Sequence, residues 1–170
     1  MKNICLFAVL LLITAVLNAQ VQFNYFGGSQ ISTALYKVND SKQNTSLKLG
    51  IQAGIGMKVP FENKIFFAPV IFYSLKGYKV SLDSHVFPPD PEASNNNVSM
   101  HTIEAAPLVQ IDLSDQPGHY FISFGPSLDF QIKGKEKFHL MTGESVNKNM
   151  KFSFGDYGRY SIAAIGRIGY

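Results

Sequence analysis

The amino-acid sequence predicts an all-β fold, an antiparallel up-and-down β-barrel that spans a membrane. Three observations lead to this prediction. Apolar residues alternate with small or polar ones, the alternating segments are long, and the connections between them are long and short in turn. Because successive side chains of a β-strand point to opposite faces, such alternation indicates strands with two different faces. A chain of 170 residues is one domain on length alone.

The N-terminus has the features of a signal peptide. Lys2 precedes an apolar run from Ile4 to Leu17, and the small residue Ala19 suits cleavage before Gln20. The run of about 14 residues is short for the roughly 20 that a membrane-spanning helix needs, which disfavours the alternative of a retained anchor helix. We therefore predict a signal peptide over residues 1–19 and a barrel domain over residues 20–170.

The first three predicted strands set an apolar face against glycine or polar residues. The first, 22–36, reads QFNYFGGSQISTALY, and the second, 47–59, reads LKLGIQAGIGMKV. The third, 64–79, reads KIFFAPVIFYSLKGYK, where both faces are apolar until Ser74 and Lys76. A polar loop follows the first strand, and the tight connection PFENK follows the second.

The last three predicted strands continue the pattern. They read MHTIEAAPLVQIDL over 100–113, HYFISFGPSLDFQIKG over 119–134 and YGRYSIAAIGRIGY over 157–170. Long polar connections follow the third and fifth strands, whereas the fourth is followed by the short turn SDQPG. Long loops at one end and tight turns at the other are typical of outer-membrane barrels, and each segment exceeds the roughly 9 to 11 residues that a tilted strand needs to cross a bilayer.

Glycine decides which face meets lipid. Gly50, Gly54 and Gly56 occupy the face of the second strand that a soluble barrel would expose to water. Glycine weakens a solvated strand, but in a narrow interior it leaves room for bulky neighbours. Those neighbours are predicted to be Phe66, Phe72 and Phe121. In the fifth strand the lipid-facing residues are then Tyr120, Ile122, Phe124, Leu128, Phe130 and Ile132. The interior residues are Ser123, Ser127, Asp129 and Gln131.

Four charged residues form the candidate site, a polar cluster in the lumen. Glu104, Asp112, Asp129 and Arg167 all lie on the face opposite the apolar one. Three acids and one arginine suit an ion-paired plug, and separate solvated charges are the open alternative. The sequence gives no catalytic, cofactor-binding or metal-binding residue. His119 and Ser123 share a face, but a separation of four residues along a strand, about 13 Å, is too long for a hydrogen bond.

Two further features of the sequence, an acidic loop with a histidine and three mid-strand prolines, do not indicate a catalytic site. His85 with Asp83, Asp90 and Glu92 would suit a metal site, but the surrounding PPDP sequence favours an irregular acidic loop. Three prolines stand in the middle of predicted strands on the apolar face, where each removes a ladder donor and requires a bulge or an unpaired position. They are Pro69, Pro107 and Pro126.

Three stretches resemble the PorT-like family of outer-membrane β-barrel proteins. They are LKLGIQAGIGMKV, TIEAAPLVQIDL and HYFISFGPSLDFQI. The resemblance implies an eight-stranded barrel in the bacterial outer membrane, with no cofactor and no single activity. Ala105 and Ala106 depart from the larger residues that usually precede the proline. Because only six strands are visible and bacterial barrels start from eight, we expect about 30 to 40 residues to be missing at the C-terminus.

The leading functional hypothesis is a small outer-membrane barrel with a structural, adhesive or assembly role, and neither a wide pore nor an enzyme. Its expected contacts are outer-membrane lipid and an unknown extracellular or envelope protein. A formal charge of +3 without any basic stripe gives no reason to expect nucleic acid. The alternative is an exported soluble barrel, similar to a lipocalin, that holds a small apolar ligand inside.

Overall fold

The computed structural model describes residues 21–38, 40–82, 93–153 and 157–170. Its secondary structure within these ranges consists of ten β-strands. No helix in this part of the chain has the length and apolar character that a membrane span requires. The predicted signal peptide and the acidic loop around His85 lie outside the described residues.

Six long strands form the body of the sheet. They are β1 (Gln22–Ser32), β5 (Lys48–Glu62), β6 (Ile65–Ser81), β7 (Ala93–Asp112), β8 (Phe121–Leu140) and β10 (Tyr160–Gly169). Each pairs antiparallel with the next in the order β1-β5-β6-β7-β8-β10, which confirms the predicted all-β, up-and-down arrangement.

Four short strands complete the secondary structure. They are β2 (Lys37–Val38), β3 (Ser41–Lys42), β4 (Asn44–Ser46) and β9 (Ser145–Met150). β4 pairs with β6 and β9 pairs with β8, so the main sheet has eight strands, while β2 and β3 form a separate hairpin. Within the described ranges, β1 and β10 do not pair with each other.

Several predicted strand bounds were wrong at the end with the long connections. β7 begins at Ala93 instead of residue 100, and β8 runs to Leu140 instead of residue 134. A predicted connection also contains β9, and the first strand ends at Ser32 instead of Tyr36. The segments added to β7 and β8 are rich in asparagine and lysine, which are poor strand formers. These segments pair because they continue the hydrogen-bond ladder of the apolar parts of the same two strands.

The structure confirms the predicted assignment of the two faces. The convex face is apolar, with Ile51 58%, Leu128 54% and Ile162 82% exposed. Facing inward, Ser123, Ser127 and Asp129 are at most 2% exposed. A soluble lipocalin-like barrel requires the opposite arrangement, with the apolar side chains inside.

An apolar cluster fills the middle of the concave side. It consists of Ala68, Val70, Phe72, Ala106 and Leu108. Phe26 of β1 and Ile165 of β10 pack against the same cluster. The sheet is therefore curved far enough for interior side chains of its first and last strands to meet one core.

Glycine allows close packing against two of the aromatic rings predicted to fill the interior. A Cβ on Gly54 would lie 2.3 Å from the Cβ of Phe72, its cross-strand neighbour. A Cβ on Gly169 would lie 2.3 Å from the ring of Phe121. The prediction that glycine of the second strand leaves room is confirmed for Phe72. It was wrong for Phe121, whose space comes from Gly169 of β10, and for Phe66, which lies under the ammonium group of Lys58.

The three mid-strand prolines lie in one row across the sheet. Pro69 pairs directly with Pro107, and the β7–β8 register places Pro107 opposite Pro126. The β7–β8 ladder is interrupted between Ala105↔Leu128 and Val109↔Phe124, where both facing residues are prolines without N–H groups. Pro69 lies where the β5–β6 register skips from Gly56↔Val70 to Val59↔Phe67, whereas the β6–β7 and β8–β10 ladders continue through the row.

Candidate functional site

The structure brings two of the four predicted lumen residues together around Lys76. Glu104 and Asp129 pair across β7 and β8, and each is at most 2% exposed. The Lys76 ammonium lies 2.8 Å from Glu104 Oε1 and 2.6 Å from Asp129 Oδ2. We call these three residues the central triad. Lys76 follows Phe72 and Ser74 at every second position, so the sequence already indicates that all three share the interior face.

Hydroxyl groups add hydrogen bonds to both carboxylates of the central triad. Thr102 donates to Glu104 Oε1 at 2.7 Å, and Ser161 donates to Asp129 Oδ2 at 3.1 Å. Ser127 donates to Asp129 Oδ1. Buried charges are stable only when they are paired and hydrogen-bonded, and both carboxylates meet that condition. The triad therefore acts as a rigid internal crosslink between three strands.

Asp112 lies apart from the triad, at the end of the sheet with the tight turns. It forms an ion pair with Lys58, and His119 Nε2 lies 2.8 Å from Asp112 Oδ2. Gln110 donates to Asp112 Oδ1 at 2.8 Å, and Lys58 Nζ lies 4.1 Å from the centre of the Phe66 ring. This arrangement anchors the two hairpins next to the tight turns.

Arg167 contacts none of the three acids among the described residues. Its guanidinium lies 3.8 Å from the centre of the Phe26 ring, which joins the interior of β10 to that of β1. The four predicted residues therefore take part in three separate contacts. These are the central triad, the ion pair of Asp112 with Lys58, and the contact of Arg167 with the Phe26 ring.

A second core lies beyond the central triad, on the side of the long connections. Val80, Leu82, Ala93 and Phe138 form it, and Tyr36 and Tyr78 pack against it. We call this part of the sheet the extension: residues 76–81 of β6, 93–101 of β7 and 133–140 of β8, with β4 and β9. The sequence pattern predicted only its edge nearest the central triad, because its interior face mixes Asn96 and Glu136 with apolar residues.

Tyrosines surround the one acid buried in the core of the extension. Tyr157 donates a hydrogen bond to Glu136 Oε2, and Asn96 Nδ2 donates to Glu136 Oε1 at 3.0 Å. Burial, followed by the charge of Glu136, raises the pKa of Tyr36 to about 12. Burial is also the main cause of the raised pKa values of Tyr78 and Tyr157. All three phenols therefore stay neutral to a higher pH than an exposed tyrosine.

The geometry of these groups suits stabilisation of the fold. His119 Nδ1 donates a hydrogen bond to the carbonyl oxygen of Gln116 at 2.7 Å, and its ring lies against Asp112. Within the described ranges, no group of three or more histidine, cysteine, aspartate or glutamate residues is arranged to hold a metal ion.

Comparison with known proteins places residues 17–170 in one family. The family model described as "Outer membrane protein beta-barrel domain" matches residues 17–170. No curated protein and no solved structure gives a significant match. The match spans every described strand, and it agrees with an apolar outer face around a packed interior. The chain therefore belongs to the outer membrane protein beta-barrel domain family.

Proposed function

We propose that this protein is a filled outer-membrane scaffold that presents its extension for structural, adhesive or assembly contacts, and that it is neither a wide pore nor an enzyme. The observation that supports this most is the packing of the interior at every level. Four successive levels of the interior are each marked by a buried residue. The exposed fraction is 6% for Asp112, 0% for Leu108, 2% for Glu104 and 3% for Glu136.

The length of the strands supports a contact role. β7 and β8 have 20 residues each, about twice the roughly 9 to 11 that a tilted strand needs to cross a bilayer. In outer-membrane barrels the long connections lie outside the cell, so the extension is expected there. At its tip, Met141 and Val146 are 60% and 44% exposed.

Three further parts of the proposal come from the sequence. The PorT-like resemblance of three strands supports a PorT-like member of the family. The N-terminal pattern supports export with cleavage of residues 1–19. The expected partners are outer-membrane lipid and an envelope or extracellular protein.

Conductance tests the filled interior. The purified full chain, reconstituted in planar bilayers beside a general porin, is expected to give no stable conductance steps. Steady ohmic conductance like that of the porin would overturn the scaffold proposal. Heat-modifiable gel migration and co-fractionation with outer membranes check that the sample is folded and correctly located. Recovery as a soluble periplasmic protein would end the proposal.

Photo-crosslinking in intact cells tests the contact role. A crosslinker at position 146, in the extension, is expected to give a discrete protein adduct. One at position 115, in a tight turn at the other end, serves as the control. Equal adducts from both positions, or none from position 146, would contradict a dedicated contact surface on the extension.

A further inference from the structure

The outward face of the extension carries a dense group of lysines. Lys79, Lys133, Lys135 and Lys137 are all exposed. The strand register sets Asn97 between Lys79 and Lys137, and sets Ser99 beside Lys135. Along β8 the lysines repeat every second residue, about 6.7 Å apart. We call this surface the lysine face.

Lys48 adds a fifth ammonium group to the lysine face. Its Nζ lies 2.6 Å from Asn97 Oδ1, 2.7 Å from Val98 O and 2.6 Å from Ser99 Oγ. The side chain reaches them by crossing Gly77, where a Cβ would lie 3.1 Å from Lys48 Cδ. Gly77 thus provides the space that lets Lys48 reach β7.

No acid balances these charges within the described part of the chain. Glu136 is buried on the opposite face of β8, and Glu144 lies in the turn before β9. None of the five lysines forms an ion pair with a described residue. By contrast, the two interior lysines, Lys58 and Lys76, are both paired.

The lysine face begins where the apolar outer surface ends. Lys133 follows Ile132, which is 52% exposed, and at the same border Tyr73 Oη lies 2.6 Å from His101 Nδ1. Tyrosine is enriched at the level of lipid headgroups. A lipid whose chains cover the apolar surface therefore has its headgroup at the level of the lysines.

Neutral hydrogen-bonding groups lie among the lysines. A cleft of about 260 Å³ on this side is lined by Ser46, Lys79, Asn95, Asn97 and His139, among others. Amide and hydroxyl groups beside ammonium groups suit a ligand that carries both phosphate and hydroxyl oxygens.

We propose that the lysine face binds the phosphate groups of anionic lipid headgroups in the outer leaflet. The continuity between the apolar surface and the lysines favours a lipid over an acidic protein, since a protein partner would have no reason to begin at the lipid boundary. This site goes beyond the scaffold role and depends only on the location of the barrel in the outer membrane.

Binding of a phosphorylated glycolipid by the full chain tests the proposal. The folded protein in a neutral detergent is titrated with lipid A, and separately with lipid A stripped of its phosphates. The test variant is K133Q/K135Q/K137Q. Its control, K37Q/K42Q/K64Q, makes the same change in net charge outside the lysine face. Heat-modifiable migration checks that both variants fold.

Each lysine near an anionic headgroup is expected to contribute roughly fivefold in affinity. The test variant should therefore bind lipid A on the order of 100-fold more weakly, and the control should bind it like the parent chain. Equal loss in both variants would overturn the proposal, as would equal binding of the two lipids.

Two competitors separate lipid from other anions. Inorganic phosphate and poly-glutamate are each added to the preformed lipid A complex. Retention of lipid A in the presence of both supports a headgroup site. Full displacement by inorganic phosphate alone would overturn the assignment to a lipid. Tighter binding of poly-glutamate than of lipid A would assign the face to an acidic protein instead.

Discussion

Lys76 is the residue on which the two buried carboxylates of the central triad depend. It supplies the only ammonium within ion-pair distance of Glu104 and Asp129 among the described residues. Removing one partner of a buried charge network leaves uncompensated charge, which is far more costly than losing an exposed pair.

Lys76→Met is expected to destabilise the barrel by about 3–5 kcal/mol, because two adjacent carboxylates remain buried without a cation. Urea unfolding of the chain in lipid vesicles measures the change. The triple variant K76M/E104Q/D129N removes all three charges and should recover most of the loss.

Lys64→Met is the matched control for this experiment. Lys64 and Asp115 form an ion pair of 2.9 Å, but their side chains are 39% and 74% exposed. Exposed pairs contribute about 0–1 kcal/mol. A similar loss in both variants would show that the central triad has no special role.

The tyrosines of the extension predict a loss of stability at alkaline pH. Tyr36 has its pKa raised to about 12 by burial and by Glu136. A group with a folded pKa above its unfolded value stabilises the fold fully below the unfolded pKa of about 10, and this contribution disappears as pH rises through the folded value. The free energy of unfolding should therefore fall from about pH 10 upward.

Glu136→Gln separates the charge from burial. The variant should lower the pKa of Tyr36 and Tyr157 without returning them to ordinary values, since burial remains the larger cause. Tyrosinate absorbance against pH measures both. Glu144→Gln removes an exposed charge and is the control. An identical titration of parent and E136Q would contradict this account of the cluster.

At the scale of the strands, glycine positions separate packing from backbone flexibility. Gly54 faces Phe72 at a distance that leaves no room for a Cβ, whereas Gly28 has no atom within 4 Å of that position. Gly54→Ala is expected to cost about 1–3 kcal/mol through overpacking. Gly28→Ala should be close to neutral or slightly stabilising. Urea unfolding compares the two variants, and equal effects would contradict the packing argument.

The proline row makes a prediction about hydrogen exchange. P107A/P126A restores two facing N–H groups at the break in the β7–β8 ladder. The amides at positions 107 and 126 should exchange slowly, because each can donate across the ladder. Stability should change by less than about 1 kcal/mol, since two new hydrogen bonds are offset by the lost rigidity of proline. P117A, in the turn, should give a rapidly exchanging amide.

Sequence alternation predicted the strands only where lipid and interior impose different demands. Between Ile103 and Ile111 the pattern is clear, and the two faces are assigned correctly. In the part of β7 that precedes His101, both faces carry polar residues, so this part was predicted as a loop. The lysine partners of Glu104 and Asp112 come from other strands, and single-strand patterns do not show which strands lie side by side.

At the scale of the whole molecule, the curvature of the sheet depends on contacts across its interior. Phe26 and Ile165 belong to the first and last strands of the order, and both pack against the central apolar cluster. Arg167 extends over Phe26 from β10. These contacts exist only if the sheet is curved as it is here.

A double-mutant cycle on Phe26 and Arg167 tests this curvature in the membrane. F26L, R167Q and the double variant are compared by urea unfolding in lipid vesicles. A cation over an aromatic face in a dry interior contributes about 1–2 kcal/mol, so the coupling energy should lie in that range. Tyr25→Leu with R167Q is the control, because Tyr25 is 90% exposed on the outer face of the same strand. Its coupling with Arg167 should be near zero. If the Phe26 cycle also gave no coupling, β1 and β10 would lie further apart in the membrane than their shared core requires.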